Sequence, residues 1–187
     1  MRVISFYTKD TPYEEESKQW LQSFKSCNTA CFVMENQKSW EKNCALKSIV
    51  LQRALEDYPN EDLLYVDIDA RLKRRWEDSE ELNKQLPGLA WHPTSGELLS
   101  GTIFIPNNDA GHYLINRWVA YQAVNPTMWD QRVLQYFVEK ENIEHFKLPH
   151  EWISVADHIF VDDPIIHHYQ ASRKHKVLVN ASNRILQ

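Results

Sequence analysis

The chain has 187 residues, 43% of them hydrophobic, 12% aromatic and 25% charged, a composition that excludes a disordered or fibrous chain. Its 21 basic and 26 acidic side chains leave a formal charge of -5, so the overall balance does not point to a polyanion as partner. Only 4 glycines are present and neither GxGxxG nor GxxxxGK(S/T) occurs, which removes the commonest dinucleotide and triphosphate cradles.

Residues 2–7 read as a β-rich run, and residues 12–25 follow with Trp20, Leu21 and Phe24 at helical spacing among charges. A second strand is predicted at 30–34. Residues 40–58 then carry Cys44, Leu46, Ile49, Val50, Leu51, Ala54 and Leu55 on a broad helical face that Pro59 ends. Residues 63–66, Leu-Leu-Tyr-Val, form a continuous apolar run bounded by Asn60 and Asp67, as in a central strand covered on both faces. The charged stretch RLKRRWEDSEELNKQLPG after it is expected to be helical in part. Strands are predicted at 89–92 and 102–106, helices at 112–122 and 130–140, and an irregular tail from 146 on. Strands alternating with helices imply an α/β domain with a mostly parallel central sheet flanked by helices. No repeat or Gly/Ser linker divides it, so residues 1–187 read as a single domain with a short irregular C-terminal segment.

Cys27, Cys31 and Cys44 are odd in number and fit neither CxxC nor a zinc ribbon, so reduced thiols are expected. No apolar run approaches the roughly 18 residues a membrane span needs, and the first residues carry no signal-peptide core. These features lead to the expectation of a cytoplasmic protein.

The sharpest chemical feature is Asp67-Ile68-Asp69, where the apolar strand ends. Ligands of open α/β sheets bind outside the carboxyl ends of strands, and residues i and i+2 of an extended segment project to one side. Two carboxylates so close repel unless a cation lies between them, and a hard divalent ion held by carboxylates commonly completes its shell with phosphate oxygens. The plainer alternative is a helix cap at Asp67 and a solvated Asp69.

Trp40 with Lys47, EDLLYVDIDARL, ELLSGTIFIPNN, MWDQRVLQYFV and IIHHYQASR follow one another in the chain. In that order and spacing the sequence resembles the GT-A (Rossmann-like) nucleotide-diphospho-sugar glycosyltransferases, most closely the retaining glycogenin-like and lipopolysaccharide galactosyltransferase-like families, over most of its length. The resemblance implies a metal-dependent glycosyltransferase that moves a hexosyl group from a nucleoside diphosphate sugar, a UDP-sugar by this likeness, to an acceptor hydroxyl with retention. It makes Asp67 and Asp69 the DxD motif holding Mn²⁺ or Mg²⁺. His168, followed by the aromatic Tyr169, completes the shell, with His167 as the alternative. Lys47 and Arg173 become cations for the donor phosphates, against the alternative of solvated charges. Tyr7 and Thr8 fall where the nucleoside binds, Tyr7 alternatively being a core aromatic. Ser100 and Gly101 belong to the donor-sugar pocket, Gly101 alternatively being a turn glycine. Asp130 and Gln131 line that pocket as the catalytic pair, Asp130 alternatively being a helix N-cap.

The acceptor is a glycan or another hydroxyl compound. Arg71, Lys73, Arg74 and Arg75, directly after the motif, add an anionic acceptor and even DNA to the candidates. The alternative is a solvated helix face balanced by Glu77, Asp78, Glu80 and Glu81. Two rival functions use the same residues. One is an Mg²⁺-dependent phosphohydrolase with an attacking aspartate, although Ala70 and Arg71 stand where its threonine-bearing turn belongs. The other is an inactive nucleotide-sugar-binding protein.

Overall fold

Strand β1 (Arg2–Thr8) is buried almost throughout and pairs in parallel with β2 (Thr29–Met34) on one side and β3 (Leu63–Val66) on the other. The structure is a computed structural model that describes residues 1–76, 82 and 85–171. Helix α1 (Tyr13–Ser23) carries Glu14, Glu15 and Glu16 in its first turn, where carboxylates oppose the positive end of the helix dipole. Helix α2 (Trp40–Asp57) stops just ahead of the Tyr58-Pro59 pair, because proline disfavours the helical conformation in the residue before it.

All four residues of β3 are buried, and the pleat divides them between two cores. Leu63 and Tyr65 join a cluster with Leu51 and Leu55 of α2, Leu114 and Trp118 of α3 (Asp109–Val124), and Leu134 and Phe137 of α4 (Asp130–Lys140). Leu64 and Val66 face Trp20, Phe24, Phe104, Trp152 and Ile165 on the opposite side. The two-sided burial expected of this strand is therefore present.

The remaining strands are β4 (Ala70–Leu72), β5 (Gly88–Trp91), β6 (Leu98–Ile105), β7 (Phe146–Lys147), β8 (Ser154–Val155) and β9 (Ile166–His168). The main sheet has the order β2-β1-β3-β6-β5-β7, and β4-β9-β8 forms a smaller one. β6 runs antiparallel to both β3 and β5, while β5 pairs in parallel with β7, so the central sheet is mixed, parallel across β2-β1-β3 and again at β5-β7. The reversal has a consequence for chemistry. It sets the middle of β6 beside the carboxyl end of β3, Thr102 opposite Val66.

Three local expectations change. Ser100 and Gly101 lie inside β6 and not ahead of it, since the strand starts at Leu98. Arg71 and Leu72, at the head of the charged stretch, belong to a strand; its residues 77–81, 83 and 84 lie outside the described ones. The tail beyond 146 contributes β8 and β9, and β9 pairs with β4 in the register Ala70↔His168, carrying the late histidine back to the mid-chain motif. None of the three cysteines forms a disulfide.

Candidate functional site

Asp67, Ile68 and Asp69 leave the end of β3 as a turn, with the Ala70 amide donating to the Asp67 carbonyl at 2.9 Å. The carboxylates thus converge through a turn instead of through the extended geometry expected from the sequence. Ile68 is buried in the second core and anchors it. Asp69 is buried, Asp67 is partly buried, and one ligand atom from each lies within 4.8 Å of the others and of a ring nitrogen of buried His168. The three side chains could hold a metal ion.

His168 is fixed from two sides. Its Nε2 lies 2.8 Å from the Thr102 hydroxyl, and with the proton on that nitrogen, Nδ1 presents its lone pair, the arrangement a hydrogen bond on the far nitrogen imposes on metal-binding histidines. A Cβ placed on Gly101 would stand 2.8 Å from His168 Cε1 and 3.1 Å from both His168 Nδ1 and Asp67 Oδ2. The glycine therefore leaves the hollow that the two side chains enter, a closer approach than the turn glycine of the alternative reading. Burial, with smaller contributions from Lys47 and His167, outweighs Asp67 and lowers the His168 pKa to about 4, so the ring is neutral at pH 7, the form that binds metals. His167, its neighbour on β9, points elsewhere and meets Ser154 Oγ at 3.0 Å, so the pair divides as alternate residues of a strand do.

Beside this triad lies a buried charge network. Lys47, only 5% exposed, projects from α2 to within 3.0 Å of Asp67 Oδ1 and 2.9 Å of Asp130 Oδ2, and it donates to the Ser100 carbonyl and hydroxyl at 3.0 Å each. An ammonium has three protons, so all are engaged, and the solvated charge of the alternative reading is not what the chain builds. Burial disfavours the charged amine, but Asp130 and Asp67 raise its pKa above the ordinary lysine value. Asp67 is the mirror image: burial disfavours its charge, and Lys47, His168 and the Tyr65 hydroxyl, which donates to Oδ1 at 2.7 Å, hold its pKa below the usual carboxylate value.

Asp130 begins α4, but the N-cap is Trp129. The Asp130 carboxylate turns inward, accepting from Ser100 Oγ at 3.0 Å as well as from Lys47. Gln131 accepts from the Ser100 amide at 3.3 Å and donates to Glu97 Oε1 at 2.8 Å. The Asp-Gln pair, Ser100 and Lys47 are thus one hydrogen-bonded unit against the metal-competent triad.

A cavity of about 570 Å³ spans these groups. Its lining includes the aromatic Tyr7, Tyr13 and Trp40 and the polar Ser100, Asp130, Gln131 and Glu97. Trp40 Nε1 donates to the Tyr13 hydroxyl at 3.4 Å, and its ring lies 5.6 Å from that of Trp129. Buried Thr8 lines the cavity beside Tyr7, its carbonyl accepting from the Thr11 hydroxyl at 2.6 Å. Tyr7 is only partly buried and lines this cavity rather than filling a core.

Sequence reading did not find Tyr65, Glu97, Thr102, Tyr13 or Trp129. Only Tyr65 left a signal, a phenol in an otherwise aliphatic buried run. Arg173 lies outside the described residues. The basic cluster is largely engaged: Arg71 pairs with Glu16 and donates to Gln19, and Arg74 pairs with Glu151 at 3.4 Å and Asp163 at 3.0 Å. Arg75 also has a partner.

A family model described as nucleotide-diphospho-sugar transferase matches residues 39–182. A solved glycosyltransferase involved in the glycosylation of the major capsid of PBCV-1 is similar in structure, with a TM-score of 0.71 and 13% identity over 95% of this chain and 98% of that one. The apo-form glycosyltransferase GlyE of Streptococcus pneumoniae TIGR4 gives a TM-score of 0.59 and 14% identity over 90% of this chain, which spans 54% of that one. At such identities the likeness shows the fold. No curated protein matches by sequence. Among the described residues, no helix is long and apolar enough to cross a membrane.

Proposed function

The chain belongs to the nucleotide-diphospho-sugar transferase family, and from that premise we propose that it is a metal-dependent hexosyltransferase, acting from a UDP-sugar on an acceptor hydroxyl with retention of configuration. The observation that carries the reading is that one cavity is lined at once by aromatic rings, by the Asp67-Asp69-His168 triad and by the Ser100-Asp130-Gln131 network. A nucleoside diphosphate sugar combines the matching parts: an aromatic base, an anionic bridge and a polyol. The reading treats residues 1–187 as one GT-A domain.

Asp67, Asp69 and His168 would hold Mn²⁺ or Mg²⁺, the imidazole favouring Mn²⁺. When bound, the ion supplies Lewis-acid stabilisation to the departing diphosphate. Tyr7 offers a ring face to the base, with Tyr13 and Trp40 beside it. Ser100 and Asp130 are held for hydroxyls of the sugar, and a site built of buried hydrogen-bonding groups rejects the wrong epimer by leaving those groups unpaired. Gln131, its amide fixed between the Ser100 amide and Glu97, flanks the reacting carbon. Ala70 and Arg71 stand where the threonine-bearing turn of the phosphohydrolase belongs, which disfavours that reading.

Thermal shift or calorimetry against a panel of nucleotide sugars, with and without Mn²⁺, tests this function. One UDP-sugar is expected to stabilise the protein only when Mn²⁺ is present; binding of every nucleotide sugar indifferent to metal chelation contradicts the proposal. Asp69→Asn, which keeps the shape and removes the charge, is expected to weaken Mn²⁺-dependent UDP binding about tenfold. Unchanged binding removes Asp69 from the ligand set.

A further inference from the structure

A second cavity, also of about 570 Å³, adjoins the first, and Val155, His158 and Ile159 line both. These residues belong to a tight turn in which Val155 and Ile159 exchange backbone hydrogen bonds at 3.0 Å and Asp157 has a positive φ of 66°. The turn forms a low ridge between two compartments. β9 and the residue after it serve both: His168 lines the first, His167 and Tyr169 the second.

The chemistry of the second compartment differs from that of the first. Phe160 stands on its rim 89% exposed, and Tyr169 is 47% exposed. Lys73 donates to the Tyr169 hydroxyl at 2.6 Å and has no carboxylate partner among the described residues. Ser154 Oγ donates its one proton to the Ile159 carbonyl at 3.3 Å, so it accepts from His167 Nδ1–H at 3.0 Å, and the lone pair of the neutral ring is on Nε2. The His167 ring meets Tyr169 edge-on at 4.7 Å. Two exposed aromatic rings, an ammonium, a phenol and an imidazole acceptor thus surround one hollow.

From this arrangement we infer that the second cavity is the acceptor subsite and that the acceptor is a saccharide. The inference rests on the sugar-transfer reading of the first cavity. A sugar ring has an apolar C–H face for Phe160 and Tyr169 and alternating hydroxyls for Lys73, Tyr169 and His167; concave sites that join apolar contact with a few placed polar groups select such amphipathic small molecules. A polyanion is disfavoured, because Arg71 and Arg74 are ion-paired to Glu16, Glu151 and Asp163, and phosphates would have to displace those carboxylates. An acceptor seated there meets the first cavity across Val155, His158 and Ile159, where one of its hydroxyls is presented to the donor sugar. In the transfer that hydroxyl oxygen bonds the anomeric carbon, the carbon–phosphate oxygen bond breaks, the nucleoside diphosphate leaves with the electron pair, and the hydroxyl proton is released.

The test uses the intact protein and a panel of methyl hexopyranosides and simple disaccharides, with a serine peptide and a DNA oligonucleotide as competing acceptors. Resonances of Phe160, Tyr169 and His167 are expected to shift on adding one saccharide, without a donor present. In transfer assays Phe160→Ala and Tyr169→Ala are expected to raise the acceptor KM about tenfold each with the donor KM unmoved, whereas Tyr113→Ala, at a comparably exposed aromatic on α3, changes neither. Transfer that proceeds with wild-type acceptor KM in both variants, transfer to the peptide or oligonucleotide alone, or no saccharide-induced shift at these residues overturns the inference. A saccharide that shifts the three residues while no nucleotide sugar is consumed overturns the sugar-transfer reading and leaves only saccharide binding at the second cavity.

Discussion

Replacing Lys47 by methionine is expected to lower stability by about 3–5 kcal/mol at pH 7 and to abolish transfer. Methionine keeps the unbranched stem but removes the charge from a position that meets Asp67, Asp130 and Ser100 at once. Asp130, 1% exposed, is left with the Ser100 hydroxyl as its polar contact in the network, and an uncompensated buried carboxylate is far costlier than the absence of the whole pair. The raised Lys47 pKa means that its stabilisation is fully present below the ordinary value of 10.5 and is lost as pH rises through the higher folded value. Asp67, with its pKa depressed, contributes above its ordinary value of 3.8, and that contribution fades as pH falls through the lower folded value. Both are in force at pH 7. Without Lys47, Asp67 takes up a proton more readily, so the gap between variant and wild type is expected to narrow at pH 4. Urea unfolding in EDTA at both pH values measures this. The double variant Lys47→Met, Asp130→Asn is expected to regain part of the loss, since it removes one orphaned charge. A single variant within about 1 kcal/mol of wild type identifies Lys47 as a surface-like charge and refutes the network.

The same network shows where sequence reading reaches its limit. The 63–66 strand and the helix at 130–140 were legible because each carries its own pattern: a bounded apolar run and a repeating apolar face. Asp67 and Asp69 were legible as neighbours, and His168 by its motif, but the reason His168 and not His167 faces the carboxylates lies in the pairing of β9 with β4 and β8. Strands of two or three residues have no periodicity to read. Ser100 and Gly101 were set ahead of their strand because glycine lowers strand propensity, and here the missing side chain leaves room for His168 and Asp67. Lys47 could be read as a solvated charge or a phosphate contact. Its partnership with Asp130 depends on α2 and α4 packing on the same face of the sheet, which no local pattern encodes. Glu97, Thr102 and Tyr65 entered the site for the same reason: each acts through one partner fixed by the fold.

Gly101→Ala is expected to weaken Mn²⁺ binding by about a hundredfold or more while the protein stays folded. The added methyl would stand 2.8 Å from His168 Cε1 and 3.1 Å from Asp67 Oδ2, so the imidazole must tilt, strain its 2.8 Å bond to Thr102, or separate from ligand atoms that now lie within 4.8 Å of one another. The contacts are side chains at the edge of an open cavity, so overpacking costs about 1–3 kcal/mol of stability, too little by itself to unfold a typical domain. Gly88→Ala separates this effect from strain in general. A methyl there would meet Phe146 Cζ at 2.6 Å and Leu148 Cδ2 at 2.9 Å, inside the second core, and is expected to lower the melting temperature without changing Mn²⁺ affinity. Calorimetric titration of both variants with Mn²⁺, paired with thermal unfolding in EDTA, reads the two quantities apart. Wild-type Mn²⁺ affinity in Gly101→Ala means that the ion binds away from the hollow between His168 and Asp67. Equal loss of affinity in both variants means that binding follows overall rigidity. Only a loss confined to Gly101→Ala ties the ion to the space that this glycine leaves free.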